Sequence, residues 1–108
     1  MPDFSLDLHA ELDREIGQLV LTEMYEDDNS ADLVIGVVGD QFSITLNSNM
    51  QPIIFPDDDL LETVGRLVSL HAEYDSQLRT ATYHYDKEPA GTWVMSANFE
   101  YNRPENID

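Results

Sequence analysis

The chain has 108 residues, 42% of them hydrophobic, which suits one folded domain spanning 1–108 with a single core and excludes wholesale disorder. Its 22 Asp and Glu stand against 5 Lys and Arg, a net charge of −17 that repels nucleic acid and anionic membrane surfaces and attracts cationic proteins. The absence of cysteine excludes disulfide frameworks and thiolate chemistry; with no basic-then-apolar leader and no run near the roughly 20 apolar residues that cross a bilayer, a cytoplasmic protein is expected.

Phe4, Leu8, Leu12, Ile16 and Leu19 recur every three or four residues and predict a helix from about Ser5, its candidate N-cap, to Ile16. Gly17 is the candidate terminator. Residues 18–25 also fit period two, and one longer helix running to about Tyr25 is the alternative. Glu26-Asp27-Asp28-Asn29-Ser30 is a turn by composition. Leu33 to Val38 is apolar on both faces and rich in β-branched residues, the pattern of an interior strand. After a tight Gly39-Asp40 connection, Phe42, Ile44 and Leu46 alternate with polar residues as a half-buried strand, and Pro52 to Phe55 forms a short extended piece.

The apolar period then changes. Leu60, Leu61, Val64, Leu67, Val68 and His71 make one stripe of a second amphipathic helix. Asp59 lies three residues before Glu62 and fits a capping-box variant; an Asp57 cap one turn earlier is the alternative. Ala81, Tyr83 and Tyr85 form one face of a strand, and Trp93, Met95, Ala97, Phe99 and Tyr101 one face of the next. With the Lys87–Gly91 loop between them they predict an antiparallel hairpin, followed by a frayed polar tail over about 103–108. The order α-β-β-(β)-α-β-β predicts an α+β fold, a single antiparallel sheet of four or five strands packed by two helices.

Catalytic signals are missing. His9, His71 and His84 are too scattered for a local metal-ligand motif, and there is no phosphate loop, nucleophile elbow or metalloprotease helix. No catalytic residue, cofactor or metal is expected. His84 and Asp86 share a strand face and can pair, while His71 extends the apolar stripe and reads as a histidine at the edge of the core.

The acidic residues carry more information. Between Arg14 and Arg66 there is no Lys, Arg or His, yet the segment holds Glu15, Glu23, Glu26, Asp27, Asp28, Asp32, Asp40, Asp57, Asp58, Asp59 and Glu62. Such carboxylates cannot all be paired locally and set up a standing negative field. Three readings compete. A salt-adapted or merely solubilising surface suits a chain with one Lys and 13 Asp. A calcium loop at Glu26–Asp32 lacks the EF-hand glycine and its terminal bidentate glutamate. A docking surface for a basic protein is the leading reading, with Tyr25 as its aromatic anchor and Glu26, Asp27, Asp28, Asp32, Asp57 and Asp58 as its charges. Tyr83, Tyr85, Trp93 and Tyr101 read instead as fillers of the sheet's inner face.

The closing segment Gly91-Thr92-Trp93-Val94-Met95-Ser96-Ala97-Asn98-Phe99-Glu100-Tyr101-Asn102-Arg103-Pro104-Glu105 resembles that of the YezG-like bacterial toxin-immunity proteins, whose C-terminal hairpin ends in an aromatic-x-Tyr-Asx pattern. The helix-first element order is similar too. The resemblance implies a non-enzymatic inhibitor that blocks one cognate toxin domain, and it assigns no binding residue here. An immunity or antitoxin-type inhibitor of a cationic, nuclease-like toxin is therefore the expected function. The alternatives are a DNA-mimic regulator of a nucleic-acid-binding protein and a salt-adapted acidic domain with no specific acidic interface.

Overall fold

The computed structural model describes residues 6–38, 41–73 and 77–101. The expected Ser5 cap, the Gly39-Asp40 connection and the 103–108 tail lie outside them. The elements are α1 (Leu6–Thr22), β1 (Ser30–Val38), β2 (Gln41–Ser48), α2 (Asp58–Glu73), β3 (Leu78–Lys87) and β4 (Trp93–Tyr101). All pairings are antiparallel and the strand order is β2-β1-β3-β4, so α2 carries the chain from the edge strand β2 past β1 to the central strand β3. This is the expected α+β fold, with four strands rather than five. The Pro52–Phe55 piece contributes a single bridge, Ile54 to Leu46, because Pro52 cannot donate to a ladder and the chain turns away toward α2.

α1 does not stop at Gly17. The longer helix forms because Leu12, Ile16 and Val20 keep the four-residue spacing across the glycine and are all buried. Gly17 is there for close approach: a methyl group at its position would meet the Tyr85 ring at 3.6 Å. The last turn tightens, with the Glu23 and Met24 N–H groups donating to the Val20 and Leu21 carbonyls, and the chain leaves for β1.

α2 buries Leu60, Val64, Leu67, Val68 and His71 of the expected stripe and adds Thr63 and Leu70, while Leu61 is exposed. Its cap is Asp57, the alternative, and not Asp59. The Asp57 Oδ1 accepts the Leu60 N–H at 2.9 Å, and the Asp57 carbonyl accepts the first helical bond from Leu61. Asp57→Ala should therefore destabilise the fold by about 1 kcal/mol in urea titration, whereas Asp59→Ala should be nearly neutral. The reverse ranking would return the cap to Asp59.

Both helices cover one face of the sheet. Ala31, Leu33 and Ile35 of β1, Leu46 of β2, and Ala81, Tyr83 and Tyr85 of β3 point into the core beneath them. β1 is interior by hydrogen bonding, but its other face is open, so the expectation of burial on both faces holds only on the helix side. That open face is mostly polar. Asn47, Asp32, His84 and Ser96 make one cross-strand row, and Thr45, Val34, Thr82 and Asn98 make the next. The β3–β4 hairpin pairs from Lys87–Trp93 to Leu78–Tyr101, as its two alternating patterns predict. Its turn needs Gly91, whose φ of 96° lies where a side chain is strained.

Candidate functional site

Asp28 organises the end of the molecule where α1 meets β1. It is fully buried, and its carboxylate accepts four hydrogen bonds. The donors are the Tyr25 N–H at 2.7 Å, the Ser48 hydroxyl at 2.7 Å, the Met50 N–H at 3.1 Å and the Gln51 side-chain amide at 2.8 Å. The same amide donates to the Glu23 carbonyl, and the Asn49 side-chain oxygen accepts the N–H groups of Asn29 and Ser30. Two loops, Glu23–Asn29 and Asn49–Asp57, are thereby tied into one unit. Burial alone would raise the Asp28 pKa, but the bonds from Ser48, Tyr25, Gln51 and Met50 together hold it below the ordinary carboxylate value.

The surfaces of these two loops are unusual. Phe55 is 84% exposed, Ile53 70%, Tyr25 63% and Met50 55%. Around them stand the exposed Glu26 and Asp27 on the first loop and Asp57, Asp58 and Asp59 at the start of α2. Among the described residues none of these five carboxylates is in an ion pair. Large apolar tips beside uncompensated carboxylates make a surface that can seat in a cationic cleft and fill its apolar hollows.

The seven residues expected to bind a partner divide accordingly. Tyr25, Glu26, Asp27 and Asp58 are exposed at this end. Asp57 is exposed too, but its carboxylate is engaged as the α2 cap. Asp28 is corrected outright: it is an interior strut, with no free oxygen for a partner. Asp32 lies on the open sheet face, where its half-exposed carboxylate binds His84 Nδ1 at 2.6 Å. His84 is held on its other side by Asp86 at 2.9 Å, the expected strand-face pair. These bonds, that of Asp32 foremost, raise the His84 pKa. With Asp28 and Asp32 so committed, Glu26–Asp32 does not converge on a cation site. Met50, Ile53 and Phe55 were missed by sequence reading, although a Phe between Ile54 and Pro56, with no alternating strand to place it inside, was a visible signal.

A second polar centre lies between the helices and β3. The Tyr83 hydroxyl donates to Asp13 Oδ1 at 2.5 Å, Asp13 Oδ2 binds His9 Nδ1 at 3.0 Å, and His9 Nε2 meets His71 Nε2 at 2.9 Å. Phe99 packs against both imidazoles, stacked on His71 and edge-on to His9. His71 is thus the expected core-edge histidine, almost fully buried. Burial first, and the neighbouring His9 second, lower its pKa to about 4 against the opposing pull of Asp13. Both ring nitrogens of His9 are engaged, by Asp13 and His71, so the chain of groups running from Tyr83 to His71 ties α1, α2 and β3 together. The His9 and Asp13 spacing of four residues on α1 was legible in the sequence; the arrival of Tyr83 and His71 was not.

Among the described residues no three His, Asp or Glu side chains gather as a metal site, and no helix is long and apolar enough to cross a membrane. No protein-family model matches the chain, and no curated protein matches it in sequence.

Proposed function

We propose that this protein is a non-enzymatic acidic binding protein of the immunity or antitoxin type, which neutralises a cationic, nuclease-like toxin domain in the cytoplasm. The observation that carries the proposal is the exposure of Phe55, Ile53, Met50 and Tyr25 beside Glu26, Asp27, Asp58 and Asp59 on two loops joined by one buried carboxylate. A nuclease cleft is cationic because it holds phosphates, and an acidic body with rigid apolar tips competes for it. The likeness of the Gly91–Glu105 segment to the YezG-like immunity proteins supports the same class. A DNA mimic is the weaker reading, because Phe55 and Ile53 have no counterpart among phosphates.

The test is co-purification with the product of the adjacent upstream gene, followed by binding kinetics. Phe55→Ala should weaken the complex by about tenfold or more through a faster off-rate. The triple change Glu26→Gln, Asp27→Asn, Asp58→Asn should slow association at low salt and matter little at high salt. Binding that is indifferent to salt and to Phe55, or a neighbourhood with no toxin-like gene, would sink the proposal.

A further inference from the structure

The two edges of the sheet are treated differently. Along β2 the chain folds back: the Ser48 N–H donates to the Gln51 carbonyl and the Ile54 N–H to the Leu46 carbonyl, which closes part of that edge. β4 has no such cover among the described residues. It is nine residues long, lacks Pro and Lys, and leaves Val94, Met95 and Tyr101 exposed. Natural edge strands are usually short or guarded by charge, so a long bare one is built to be paired. On its helix side β4 also borders a largely apolar groove of about 460 Å³ against α1, lined by Leu21, Tyr85, Trp93 and Met95 with Asp13 and Arg14 also in its wall.

Charge decides what can pair with it. In a chain of net charge −17, β4 carries a single carboxylate, Glu100, and Arg79 holds it at 3.0 Å. A basic partner finds no unpaired carboxylate on this strand. A second copy, repelled elsewhere by its own field, meets the least repulsion at this edge. The side-chain pattern is also self-complementary about Ala97. An antiparallel pairing with a two-fold axis at that residue matches Met95 to Phe99 and Trp93 to Tyr101 of the second copy on the helix side. On the open side it matches Ser96 to Asn98 and Val94 to Glu100. Only this centre pairs the whole strand, and it sets the smallest side chain at the crossing.

We infer that β4 is a self-association edge, through which two copies join by antiparallel β4–β4 pairing centred on Ala97 into one eight-stranded sheet. The dimer pairs β4 alone and uses none of the exposed residues of the Asp28-pinned loops, so it extends the proposed function without depending on it.

Sedimentation velocity across the micromolar range should show a monomer–dimer equilibrium that tightens as salt rises, since salt screens the like charge of the two copies. That is the opposite sign to the salt dependence of docking on a basic partner. Ala97→Lys, at an exposed position that leaves the monomer intact, should weaken the dimer by about tenfold or more by setting two ammonium groups side by side. Because the chain has no cysteine, Ala97→Cys should cross-link to a covalent dimer on mild oxidation, while Val38→Cys, 82% exposed on β1, should not. A monomer at every concentration and salt would overturn the inference. So would a dimer that tolerates Ala97→Lys and does not cross-link at Ala97→Cys, or β4 amides protected from exchange only in the complex with a basic partner.

Discussion

Asp28→Ala should destabilise the protein by about 4 kcal/mol, the largest effect of any single carboxylate removal, although Asp28 lies in a turn that composition alone would call a solvated loop. The alanine strands four donors at once: the N–H groups of Tyr25 and Met50, the Ser48 hydroxyl and the Gln51 amide. Each unsatisfied buried donor costs about 1–3 kcal/mol, and partial opening of the loops to water recovers some of that. Asp28→Asn should fall between wild type and alanine, since it keeps one acceptor oxygen but turns an amide toward groups that are themselves donors. Urea titration at neutral pH measures both. The pH dependence has a fixed sign. The Asp28 pKa is lower folded than unfolded, so its stabilisation is present above the unfolded value of 3.8 and is lost as pH falls through the folded one. A wild-type midpoint in Asp28→Ala would mean that the loops are held by something else.

Acid should weaken the fold well before the carboxylates titrate. The unfolded His71 takes up a proton near its ordinary value of 6.5, whereas the folded one resists until about pH 4. Between those values the unfolded state binds more protons, so stability falls with pH across that window, by roughly 3 kcal/mol in total, and levels off below it. His84 acts in the other direction. Its pKa is raised when folded, so its contribution is fully present below the unfolded value and fades as pH rises through the folded one. His84 is 41% exposed and its two ion pairs are screened, so the His71 effect dominates. Urea titrations from pH 7 to 4.5 should show a steep loss in wild type, a shallower one in His71→Gln, and a steeper one in His84→Gln. An equal slope in wild type and His71→Gln would rule out His71 as the source of the acid loss.

What was legible in the sequence is what repeats locally. The stripe from Leu60 to His71 and the alternation in β3 and β4 each report one face of one element, and the α+β order follows from joining them. What was illegible depends on a partner far along the chain. Gly17 looks like a helix stop until Tyr85 is seen beneath it, and Asp32 looks free until the β1–β3 register sets it opposite His84. Composition groups Asp28 with Glu26 and Asp27 because it cannot distinguish a carboxylate facing water from one facing four donors. The aspartate triplet divides one residue earlier than its spacing to Glu62 suggests: Asp57 serves the helix, and Asp58 and Asp59 are the surplus charge. The candidate surface was half legible. Its charges stand out in the sequence, while its apolar tips do not, because exposure of Ile53 and Phe55 is a property of where the chain turns.

The Asp28 bonds have a consequence for recognition that goes beyond stability. Loops fastened during folding have already given up their freedom, so a partner that seats on Tyr25, Met50, Ile53 and Phe55 need not order them a second time. Association then depends mainly on how often two bodies of opposite charge collide in the right orientation, and lifetime on how well the apolar tips fit. The one acidic residue of the turn that a partner cannot touch is thus the one that keeps the entropic cost of touching the others low.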